Sequence, residues 1–126
     1  MSLRTPLGKA LGLGSAKSGT EHFWMQRVTA IANLPLVVFM LIFIIRHLGA
    51  TRAQMLASLA NPLVAIILAL GFISVVWHMR LGLQAVIEDY VHGAAAKIAA
   101  LLFNSFFTTA LGAAALYAIL KMSFGL

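Results

Sequence analysis

The chain of 126 residues is 62% hydrophobic and only 10% charged, whereas soluble domains carry about 25% charged residues; a water-soluble fold is excluded in favour of one integral membrane unit. The net charge of +6 comes from basic residues scattered beside apolar runs, which suits membrane flanks better than a nucleic-acid-binding face. There is no cysteine, which excludes a disulfide framework, a Cys-ligated iron–sulfur cluster and thioether-attached haem in this chain, and no Gly-rich nucleotide loop follows a strand.

Residues 1–19 are rich in Gly, Ser and Lys and contain Pro6. They read as a mobile basic tail bearing Arg4, Lys9 and Lys17, with a short surface contact around Leu7 to Leu13. A topogenic role is preferred over docking onto a soluble partner. No apolar run precedes Val28, so no cleavable signal peptide is expected. Ser18 and Glu21 have capping-box spacing, and Thr20 is a further cap candidate. The uncharged run from Val28 to Ile45, extended into the interface by Phe23 and Trp24, predicts a first span over about 24–46. Within it Pro35 deprives the Ile31 carbonyl of its helical donor, giving a kink that either shapes a pocket or is absorbed by packing.

Arg46, His47 and Arg52 make one membrane face polar, and Thr51 to Ala60 suits a short interfacial helix. Asn61-Pro62 opens a second span over about 62–88, with proline at a permitted early position. A loop from Glu88 to Lys97 leads to a third span over about 97–121. Asn104, Ser105, Thr108 and Thr109 form its polar face and Gly112 to Ala115 its small face; both suit helix packing against partners. The domain is thus residues 20–126, an all-α, three-span unit whose termini lie on opposite sides. Arg4, Lys9, Lys17, Arg27 and Lys97 outnumber Arg46, Arg52 and Lys121, so the N-terminus is expected on the cytoplasmic (or matrix) side.

The chemistry concentrates at Trp77 to His92, where an apolar run gives way to an arginine, two histidines and two acids. Ionisable groups at membrane depth are expensive and mark function by default. At about 100° per residue Gly71, His78, Gly82 and Asp89 share a narrow stripe. His78 lies about 18 Å of helical rise from Tyr90. A neutral imidazole can ligate haem iron, and the two glycines leave room for a flat macrocycle; on the residues alone, a hydrogen bond to a neighbouring helix is the more ordinary reading. Tyr90 and Asp89 suit a quinone at the membrane edge, or simply an aromatic belt and a helix end. Arg27 is an interfacial arginine or a group for an anionic or quinone ligand. Arg80 lies about 200° around the helix from His78. His22, His47 and His92 read as interfacial or solvated.

The pattern H-x-R-L-G-x-Q-x-x-x-E-D-Y-V-H, from His78 to His92, resembles the second membrane helix of the small, D-type hydrophobic membrane anchor subunits of succinate dehydrogenase, respiratory complex II. The stretch His22-Phe23-Trp24-Met25-Gln26-Arg27-Val28-Thr29-Ala30 resembles the opening of that family's first helix. The resemblance implies half of a haem-binding helical bundle in which His78 ligates the iron of haem b. The companion C-type cytochrome b anchor would supply the second axial ligand. Tyr90 becomes a ubiquinone contact with Asp89 in support, Arg27 a group for a haem propionate or the quinone site, and Arg80 a candidate for a propionate. Further implied partners are an iron–sulfur subunit, a flavoprotein subunit and membrane lipid, with no nucleic acid. The location implied is the bacterial or mitochondrial inner membrane. Such a chain does not oxidise succinate by itself. A fumarate reductase anchor is the nearest rival. A non-redox transport or assembly subunit is another, although Glu21, Glu88 and Asp89 all sit at span edges and not inside a span.

Overall fold

A computed structural model of the chain describes residues 5–12, 14 and 18–126. The elements are α1 (Pro6–Ala10), α2 (Ser18–Arg46), α3 (Arg52–Leu59), α4 (Pro62–Tyr90) and α5 (Ala94–Ser123), with no strand among the described residues. Among the described residues three helices are long and apolar enough to cross a membrane: Gly19–Arg46, Pro62–Tyr90 and Ala94–Ser123. Helices of this length rise about 42–45 Å, more than the hydrocarbon core of about 30 Å. The side chains of Arg4, Lys17 and Ser18, and with them the expected Ser18 cap, lie outside the described residues.

Local chemistry sets the ends of these helices. In the N-terminal region Thr5 Oγ1 accepts the Gly8 N–H at 3.1 Å ahead of Pro6, which makes a single helical turn where only a surface contact was expected. Gly49, at φ +77°, turns the chain after α2. Thr51 and Gln54 then form a reciprocal capping box that starts α3, with backbone-to-side-chain distances of 3.3 and 2.9 Å. Asn61 Oδ1 accepts the Leu63 N–H at 3.0 Å, and Pro62 occupies the first turn of α4. His47 fastens this corner: its Nδ1 donates to the Phe43 carbonyl at 2.7 Å, leaving Nε2 to accept the Ser58 hydroxyl at 2.7 Å.

Helix α4 is the centre of the layer, flanked by α2 and α5, while α3 lies across α4 and α5. The apolar core sits at the α3 end, where Leu59, Ala65, Leu68 and Ile119 are buried among Phe39, Met40, Phe43, Met55 and Phe72. Close approach depends on glycine at Gly71, where an added Cβ would lie 2.8 Å from Met40 Sδ of α2. Room at Gly71 was expected to serve a macrocycle; the structure gives it to Met40. On the other flank α4 and α5 are joined by a polar contact, Asn104 Nδ2 donating to the Arg80 carbonyl at 3.0 Å. Beyond these seams the helices present bare apolar side chains such as Ile31, Leu34, Phe103 and Phe106, each about 70% exposed, which suits lipid or further membrane helices.

Candidate functional site

His78 stands near the middle of α4 and is half-buried against α2. Its Nδ1 lies 3.1 Å from Thr29 Oγ1, a contact between residues far apart in sequence. Thr29 is buried, 7% exposed. Its hydroxyl also lies 2.8 Å from the Met25 carbonyl and 3.1 Å from the Gln26 carbonyl, the usual back-bonding of a helical threonine. Ser74, one turn before His78, adds a long 3.5 Å contact to the Thr29 carbonyl. No protein partner meets His78 Nε2 among the described residues. Gly82, one turn further on the same stripe, has nothing within 4 Å of the place a Cβ would take. An imidazole held by one nitrogen, with open space one turn along its stripe, is able to ligate a metal carried by a flat ring. His78 with the open space at Gly82 fits a haem on these grounds; no group of three or more His, Cys, Asp or Glu among the described residues is arranged to hold a bare metal ion.

Asp89 and Tyr90 are the last residues of α4, and Tyr90 is 77% exposed. The helix stops there because Val91 turns extended, and Lys97 Nζ reaches back to the Glu88 carbonyl at 3.0 Å, capping an otherwise free acceptor at the helix end. Gln84 Nε2 donates to Glu88 Oε1 at 2.8 Å, engaging one oxygen of that exposed carboxylate. Neither Asp89 nor Tyr90 has a side-chain hydrogen bond among the described residues. Both are therefore free to face a ligand or an adjoining chain.

The arginines do not converge on His78 within this chain. Arg27 is exposed, and its guanidinium lies over the Phe23 ring, 4.9 Å from the centroid. Arg80 points to the other flank, 3.4 Å from Ser105 Oγ of α5. That agrees with its angular distance from His78. His22, read as interfacial, has a buried Nε2 with no partner among the described residues. It borders a cavity of about 260 Å³ lined by Glu21, Met25, Trp77, Leu81 and Gln84.

Sequence reasoning gave no role to Thr29. The available signal was a threonine two residues after Arg27 in the opening of the first span, on a helix bound to pack beside a mid-span histidine.

Comparison with known proteins gives a consistent result. The family described as "Succinate dehydrogenase/Fumarate reductase transmembrane subunit" matches residues 1–112. The chain is 39% identical to the succinate dehydrogenase hydrophobic membrane anchor subunit of Paracoccus denitrificans, over 96% of this chain and 93% of that one. It is 30% identical to the succinate dehydrogenase membrane anchor subunit of Reclinomonas americana, over 71% and 78% of the two chains. It is 35% identical to the hydrophobic membrane anchor subunit of succinate dehydrogenase from Rickettsia bellii, over 70% of each. No solved structure matches it.

Proposed function

The chain belongs to the succinate dehydrogenase/fumarate reductase transmembrane subunit family, and from that membership we propose that it is the anchor of a succinate:ubiquinone oxidoreductase, supplying one axial ligand of a haem b and part of the ubiquinone site. The observation that carries this reading is the mid-span imidazole with Nδ1 held by Thr29 and Nε2 free. His47 at the far corner, by contrast, spends both nitrogens on protein partners.

Haem b, when bound, supplies a one-electron centre beside the route from the iron–sulfur protein to the quinone. His78 would hold the iron through Nε2, and Gly82 would keep the space along the stripe open. By the family resemblance this chain holds half of the site, and the second ligand would come from the companion cytochrome b anchor. At the edge of the span, the Tyr90 phenol donates a hydrogen bond to a quinone carbonyl, and the Asp89 carboxylate orients water or a proton donor near it. Quinone reduction takes up two electrons and two protons, and the exposed end of α4 meets that need for water access. Arg27 stands on the same side, where a haem propionate or the quinone can draw on its charge. Arg80, turned to α5, serves a propionate only if it leaves Ser105. The iron–sulfur and flavoprotein subunits would cover the Tyr90 end, on the cytoplasmic or matrix side of an inner membrane, where the N-terminal flank and Lys97 lie.

Mild-detergent purification through a tag on this chain tests the reading. Co-purification of a flavoprotein, an iron–sulfur protein and a second small membrane chain, with a b-type optical spectrum, is expected. A preparation with no redox partner and no haem would refute it.

A further inference from the structure

Thr29 has one hydroxyl proton and two close carbonyl oxygens, those of Met25 at 2.8 Å and Gln26 at 3.1 Å. A carbonyl oxygen can only accept, and the single hydroxyl proton is best placed on the shorter contact, to the Met25 carbonyl at 2.8 Å. That proton is thereby committed to the threonine's own helix. What Thr29 turns to His78, at 3.1 Å, is a lone pair. The contact can then be a hydrogen bond only if Nδ1 carries the ring proton and donates it.

We propose that Thr29 is a positioning residue for the haem ligand: its hydroxyl, already donating to α2, fixes His78 as the Nδ1–H tautomer and so delivers a lone pair on Nε2. The inference rests on the reading of His78 as an axial ligand. It adds that the tautomer and ring angle are set inside this chain, across the α2–α4 seam. Metal-bound histidines whose second nitrogen donates to an acceptor are more basic and better oriented, and loss of such an outer partner typically costs about 10–100-fold in metal affinity or activity. The burial of Thr29 keeps water from replacing the acceptor readily.

The test compares Thr29→Val, Thr29→Ser and His78→Ala in the assembled, tag-purified complex. Valine keeps the shape of threonine without an acceptor, and serine keeps the acceptor. Three readouts apply: haem retained per complex, the midpoint potential of the haem, and carbon monoxide binding to the reduced haem. T29V is expected to lose haem about tenfold more readily, to shift the midpoint upward because a less basic imidazole stabilises the oxidised iron less, and to admit carbon monoxide. T29S is expected to behave as the parent. If His78→Ala changes the spectrum while T29V matches the parent in all three readouts, the positioning role is wrong and the ligand assignment survives. An unchanged His78→Ala spectrum overturns the ligand assignment itself. Equal defects in T29V and T29S would show that threonine acts through packing alone, and would also overturn the proposal.

Discussion

Substitution at Gly71 tests the central seam of the bundle. An alanine Cβ there would sit 2.8 Å from Met40 Sδ, 3.4 Å from Met40 Cγ and 3.8 Å from Leu36 Cβ. The nearest atom belongs to a flexible thioether side chain, which can swing aside. Alanine also gains about 0.5–1 kcal/mol over glycine in helix propensity. The two effects oppose each other, so Gly71→Ala is expected to be near neutral. Valine places two more carbons in the same gap, and overpacking of this kind costs about 1–3 kcal/mol. The cost should largely vanish when Met40 is shortened. A double-mutant cycle of Gly71→Val with Met40→Ala should therefore show a favourable coupling of about 1 kcal/mol or more. Unfolding in mixed micelles with added dodecyl sulfate, followed by the fluorescence of Trp24 and Trp77, measures each corner of the cycle. Additivity within about 0.5 kcal/mol would refute the claim that Met40 fills the space Gly71 leaves.

Other regions carry their own tests. Tyr90→Phe would remove the proposed hydrogen bond to the quinone, about 0.5–1.5 kcal/mol; quinone reduction should fall about two- to tenfold while succinate oxidation by an artificial acceptor holds, and equal losses in both assays would count against a quinone contact. Asn104→Leu removes both the bond to the Arg80 carbonyl and a buried Oδ1 that has no partner, so a stability change under about 1 kcal/mol is expected from micellar unfolding; a loss confined to the assembled complex and above about 2 kcal/mol would instead mean that a neighbouring chain satisfies Oδ1. Thr51→Ala breaks the capping box of α3 at about 0.5–2 kcal/mol, and hydrogen exchange of the amides from Arg52 to Leu59 should accelerate accordingly.

The three spans were legible because predominantly apolar runs of this length have one stable form in lipid, and the short connecting helix was expected over Thr51 to Ala60, where the structure adds the Thr51–Gln54 cap as its local cause. Periodicity alone separated Arg80 from the face of His78, and the structure turns that arginine to Ser105. What sequence could not give was the occupant of each space. A stripe containing Gly71 and Gly82 says that there is room, but only the packed helices show Met40 in the first gap and nothing in the second. The partner of His78 was hidden for the same reason. Thr29 lies on a different span, and no local spacing ties the two until α2 is laid against α4. The turn at Pro6 was missed although Thr-Pro is a helix-start signal, because the surrounding glycines argued for a loop.

The central claim is that the mid-span imidazole binds haem iron, and the reduced-minus-oxidised optical spectrum of the assembled complex carrying His78→Ala tests it most directly. An altered or missing b-type signal, with the flavoprotein and iron–sulfur proteins still attached, is the result expected. A spectrum identical to that of the parent complex would contradict it.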